Sequence, residues 1–142
     1  MKKFTLHADK YLEAIYDERL NLVELYWKEA TKEMTEAEYR MIVTDIVDLM
    51  NRKYQEGVWS SPNWLLDNRD FRFVMSPKLQ EWQAKYVFTK TTKTVTQKCA
   101  VVMSADFITQ FTIEQTFEEH QFTHFRTKYF TDLQQANEWL QE

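Results

Sequence analysis

The chain has 142 residues with a single glycine among them, and Lys and Arg total 18 against 22 Asp and Glu. A net charge of −4 disfavours a surface that tracks phosphates, because nucleic-acid affinity rests on excess basic side chains. One glycine also excludes a P-loop, a GxGxxG dinucleotide loop and a GxSxG elbow, each of which needs several.

Apolar residues at 44% and charged residues at 28% make a globular mixture. No repeat, low-complexity tract or Pro/Gly/Ser linker divides the chain, so residues 1–142 read as one domain. Cys99 stands alone and has no intramolecular partner for a disulfide. Lys2 and Lys3 begin like a signal peptide, but His7, Asp9 and Lys10 break any apolar core behind them. The longest apolar run, Cys99 to Met103, falls far below the roughly 20 residues that cross a bilayer. A soluble cytoplasmic protein without membrane insertion is expected.

Extended chain opens the sequence. Tyr11–Tyr16 and Leu20–Trp27 are rich in aromatic and branched residues, and Asp17-Glu18-Arg19 between them suits a hairpin turn. Lys3–His7 reads as a short preceding strand, and Val23, Leu25 and Trp27 alternate onto one face. A helix follows, with Thr35 as cap, Glu38 completing a capping box, and Met34 and Tyr39 in the staple positions. Tyr39, Ile42, Val43, Ile46, Leu49, Met50 and Tyr54 form its apolar stripe. Gly57 lies where a left-handed cap stops the helix.

The second half alternates strand and helix. Trp64-Leu65-Leu66 is a short buried strand running into Asp67. Ser76-Pro77 starts a helix with Leu79, Trp82 and Tyr86 inside. Lys98–Met103 reads as a central parallel strand, apolar on both faces. Ser104 is the expected cap of a helix carrying Phe107, Ile108 and Phe111. Phe125–Phe130 is the last strand, and Thr131 with Gln134 opens a final helix packed through Leu133, Ala136 and Leu140. The fold class is therefore α/β. A mixed sheet begins with an antiparallel hairpin, continues βαβαβα, and carries helices packed on it.

Ligands of open α/β sheets sit beyond the carboxyl ends of parallel strands, which here means the stretch Asp67 to Ser76. Asp67 and Arg69 read as a pair that orders this loop, with Asp70 beside them. A metal-assisted hydrolase using Asp67 and Asp70 is the rival reading. Ser76 serves as a helix cap or, when phosphorylated, as a dianion at a helix start. His120 and His124 have a zinc-compatible spacing, but no further ligand converges except by invoking His7, so no metal and no cofactor are expected. Cys99 reads as an inert core thiol. Lys85, Lys90, Lys93 and Lys98 form a local basic run that reads as a solvated helix end. Trp27, Trp82 and Trp139 fit core positions, whereas Trp59 lies in a loop and reads as an interface residue. The hairpin leaves an edge strand through which a homodimer could pair.

Three stretches carry a resemblance. Leu65-Leu66-Asp67 with its spacer to Ser76, Lys98–Ser104, and Tyr129–Leu140 are similar to the SpoIIAA-like branch of the STAS fold, the anti-sigma-factor antagonist group. The resemblance implies a small bacterial, non-catalytic module that docks on a protein partner and is regulated at the position of Ser76. The group's signalling motif has an acid, two serines and a glycine, whereas this chain has Met75, Ser76, Pro77 and Lys78. The interaction or regulatory residues expected are Asp67, Arg69, Asp70, Ser76 and Trp59. The related CRAL-TRIO carriers imply an alternative, binding or carriage of a small apolar ligand or lipid.

Overall fold

The computed structural model describes residues 2–57, 61–88, 97–119 and 125–142. Polar side chains shape the N-terminal turns. Strand β1 (Lys3–Ala8) passes to β2 (Leu12–Asp17) through Asp9, whose Oδ1 accepts from the backbone N–H groups of Tyr11 and Leu12 at 2.7 and 2.9 Å. Strand β2 turns into β3 (Leu22–Trp27) at Asn21, which adopts φ 50°, a conformation that asparagine tolerates. Tyr16 donates its hydroxyl to Asn21 Oδ1 at 2.6 Å and holds the turn closed.

Helix α1 (Glu36–Gln55) starts at the expected cap: Thr35 Oγ1 accepts from Glu38 N while Glu38 receives the Thr35 N–H. Its stripe is buried at Tyr39, Ile42, Val43, Ile46 and Met50, and Gly57 sits at φ 75° just beyond its end. Strand β4 (Asn63–Asp67) leads through a long loop to α2 (Pro77–Trp82). Ser76 caps α2, accepting from Leu79 N at 3.2 Å. The helix then widens into a π-helical turn, Gln83–Phe88, which the spacing of Leu79, Trp82 and Tyr86 did not announce. Strand β5 (Gln97–Val102) is buried at all six positions, as its two-sided apolarity predicts. Helix α3 (Phe107–Glu119), strand β6 (Phe125–Phe130) and helix α4 (Leu133–Leu140) complete the order.

The six strands of the described residues form one sheet in the order β1-β2-β3-β4-β5-β6, antiparallel up to β3 and parallel from there on. One face packs Val23, Trp27, Trp64, Cys99 and Val101 against α1, α2 and α3. The other packs Leu22, Leu65, Ala100, Val102 and Phe130 against Ala136 and Leu140 of α4. Mixed pairing and helices on both faces agree with the α/β class.

Two caps differ from expectation. Ser104 does not cap α3, because its Oγ is committed to Phe71 O at 2.7 Å and to the N–H of Asp106; Asp106 accepts from Thr109 N instead. Thr131 does not cap α4 either: Asp132 Oδ1 accepts from both Gln134 N and Gln135 N, and a carboxylate outcompetes a hydroxyl there. Lys98 is no part of a solvated helix end. It lies buried in β5 and donates from Nζ to the carbonyls of Trp139 and Glu142, capping the far end of α4. Lys85 pairs with Glu81 one turn back at 2.6 Å, while Lys90 and Lys93 lie outside the described residues.

Removing the capping oxygen with Thr35→Ala should destabilise the fold by about 1 kcal/mol. Calorimetry would then record a fall in Tm of about 3 °C.

Candidate functional site

The parallel strands point their carboxyl ends at one rim, and the segment leaving β4 builds it. Asp67, 6% exposed, ends the strand. Its carboxylate is held by Arg69 through two parallel bonds, Nε to Oδ1 at 2.9 Å and Nη2 to Oδ2 at 2.7 Å. These bonds to Asp67 push the guanidinium pKa further up, against the effect of its partial burial. The bidentate geometry is the strongest form of this pair, and Arg69 keeps about half of its side chain in solvent. The loop beyond is tied down at every third or fourth residue. Asn68 N donates to Val102 O at 3.0 Å, Arg72 N to Thr31 Oγ1 at 2.9 Å, and Met75 N to Thr112 Oγ1 at 3.2 Å. Asp70 is exposed beside Arg69 and does not join the carboxylate of Asp67. Among the described residues no group of three His, Cys, Asp or Glu gathers as a metal ligand set.

Ser76 stands where the loop becomes α2. Besides capping that helix, its hydroxyl donates to the Glu36 carboxylate on the first turn of α1, so one small side chain joins two helices. Trp59, His120 and His124 lie outside the described residues. His7 pairs with Asp9 at 2.6 Å on the opposite edge of the sheet. Burial raises the Asp9 pKa, but bonds to His7 and to the N–H groups of Tyr11 and Leu12 outweigh it and hold the group below the usual carboxylate range.

Helix α3 is inverted relative to an ordinary surface helix. Thr109, Gln110, Thr112, Ile113 and Thr116 are buried, whereas Phe107, Ile108 and Phe111 stand 83%, 59% and 54% exposed. Threonine can face inward here because each hydroxyl finds a nearby acceptor: Thr109 bonds the Asp106 carboxylate, Thr112 bonds Thr109 O and Thr116 bonds Thr112 O. The outward apolar face borders the rim, since Ala105 N donates to Arg69 O just before α3 begins. Val74, 48% exposed, lies on the same loop.

Behind the rim, between β3–β5 and helices α1 and α3, is a cavity of about 90 Å³. Leu25, Trp27, Val43, Ile46, Ile113 and Phe117 form much of its apolar wall, and among the described residues no charged side chain lines it. Stacked aromatics brace one side: Trp27 on Tyr39 at 5.7 Å and Tyr39 on Phe73 at 5.2 Å between ring centres. Tyr39 donates its hydroxyl to Gln83 Oε1 at 2.9 Å, which brings the π-helical turn to the cavity and satisfies both groups. Two other buried polar atoms of the lining residues are not satisfied. Among the described residues Trp64 Nε1 and Asn68 Oδ1 have no hydrogen-bond partner, an arrangement that costs about 1–3 kcal/mol for each orphaned group.

The sequence reading places Asp67, Arg69, Asp70 and Ser76 on one rim, as the structure does, but misses the cavity and its polar pair. Trp64 carries no mark beyond being a strand residue, and Asn68 sits unremarked between two charged neighbours. The threonines at 109, 112 and 116 were the available signal for α3, since they recur at helical spacing as a core stripe would.

Cys99 also faces the cavity, and burial alone pushes its thiol up to about 12. Iodoacetamide at pH 8 should therefore leave the folded protein unmodified and alkylate Cys99 once guanidinium unfolds it, as intact mass would show. Rapid labelling of the folded chain would contradict this burial.

No curated protein and no solved structure gives a significant match. A family model does match. It covers residues 25–141, from the middle of β3 to the end of the C-terminal helix, and so takes in the parallel half of the sheet, the rim, the cavity and all four described helices. The chain belongs to the SpoIIAA-like family.

Proposed function

We propose that this chain is a non-catalytic, STAS-type interaction module that works in the cytoplasm and grips a protein partner through the carboxyl rim of its sheet. Asp67, Arg69 and Asp70 supply the polar part of the contact, and Trp59 joins them on the strength of the sequence alone. The observation that carries the reading is the outward face of α3, where two phenylalanines and an isoleucine stand in solvent beside a loop pinned by backbone bonds. Contiguous exposed apolar groups next to fixed polar ones mark binding surfaces more often than catalytic ones. Burial of Phe107, Ile108 and Phe111 on association would remove them from water. Arg69 and Asp70 would set the orientation.

Ser76 is the regulatory position in this reading. A phosphate there would meet the Glu36 carboxylate that now accepts the hydroxyl, and like charges at this joint would part α2 from α1. Ser76→Ala loses the cap and the bond to Glu36 and should lower Tm by at least about 3 °C. Ser76→Asp should lower it further, and adding Glu36→Gln should restore most of that extra loss. Equal effects of Ala and Asp would remove Glu36 from the mechanism. For the partner contact, Phe107→Glu with Ile108→Glu should keep Tm within about 2 °C, because surface changes are small. The same variant should lose any partner that chemical cross-linking captures in the native cells, whereas retained capture would take α3 out of the interface.

A second reading has its own support: the uncharged, aromatic-walled cavity behind the rim suits a small apolar ligand. Native mass spectrometry of protein purified from its own cells should show the bound mass, and stripping it should lower Tm as ligand linkage requires.

A further inference from the structure

We infer that the cavity between the sheet and helices α1 and α3 takes a small neutral molecule bearing a hydroxyl or carboxamide group, bound through the indole N–H of Trp64 and the side-chain oxygen of Asn68. This rests on the ligand-binding reading and narrows it from any apolar compound to one with a hydrogen-bonding head.

Three observations fix the chemistry. Trp64 and Asn68 are 7% and 3% exposed, and both line the cavity. The indole Nε1 and the amide Oδ1 are without partners among the described residues, although other polar groups of the same wall are satisfied: Gln83 accepts from Tyr39, and Thr116 donates to Thr112 O. One orphan is a donor and the other an acceptor, so the ligand must offer an acceptor to Trp64, a donor to Asn68, or both. A hydroxyl or carboxamide offers either. A hydrocarbon would leave both orphans as they are, and an anion would meet no cation among the described residues of the wall. Size sets the remaining limit. At about 90 Å³ the space is smaller than the roughly 150 Å³ cavity known to admit benzene, so the occupant is a compact molecule rather than a long acyl chain.

Ethanol and propane differ by a hydroxyl in place of a methyl, both are smaller than benzene, and each can be titrated into the intact protein and followed by NMR. Ethanol should bind at least as tightly as propane despite its greater hydration. Asn68→Leu should weaken ethanol at least tenfold while leaving propane within about threefold. Because Asn68→Leu alters a turn, a second readout uses the unmodified chain. In a ¹H–¹⁵N spectrum the Trp64 indole resonance, assigned by its loss in Trp64→Phe, should shift with ethanol and stay with propane. Propane binding without ethanol binding would overturn the inference and leave the apolar-ligand reading intact, as would ethanol binding that neither moves the indole nor depends on Asn68. Failure of both compounds to bind would overturn the two together.

Discussion

The parallel pairing of β4 with β5 is the constraint on which the rest depends. Trp64 beside Cys99 and Leu66 beside Val101 supply the floor of one core, while Leu65 beside Ala100 supplies the floor of the other. Both strands are paired along both edges and covered on both faces, so a polar atom left there without a bond is costly. The small residues at 99 and 100 matter here, because they leave room above them. On one side that room is closed by Ala136 and Leu140 of α4. On the other it is left partly open, between α1 and α3.

The rim inherits its rigidity from this pair. Asn68 bonds back to Val102, so the loop leaving β4 is anchored to the end of β5 before it travels outward. Ser104, leaving β5, then bonds to Phe71 of that loop. The two exits therefore hold each other, and Asp67 with Arg69 projects from a fixed base. Helix α3 follows from the same arrangement. Its inner face meets Met75 and the cavity through threonine and isoleucine, with Gln110 buried against Ser104, and Phe107, Ile108 and Phe111 are left facing solvent.

Much of this architecture was legible because several signals coincided at single places. Thr35 with Glu38, Ser76 with Pro77 and the two-sided apolar run at β5 each combine a local propensity with a burial pattern, and both point the same way. The helix caps at 106 and 132 were misread for one reason: two capping side chains lie within two residues of each other, and the ionised one takes the backbone bonds. The cavity was illegible for a different reason. A void has no residue of its own, and its walls come from three strands, two helices and a loop far apart in sequence. The polar character of Trp64 and Asn68 appears only when their neighbours are known to be apolar.

At the opposite edge of the sheet, β1 carries a bulge between Thr5 and His7 and a salt-bridged Lys3 that reaches Asp17 and Glu24 at about 4 Å. Lys128 projects from β6, the strand at the far side. An irregular or cationic border is a poor template for another chain's backbone. Growth of the sheet by strand addition, the route to swapped or fibrillar assemblies, is thereby discouraged at both ends.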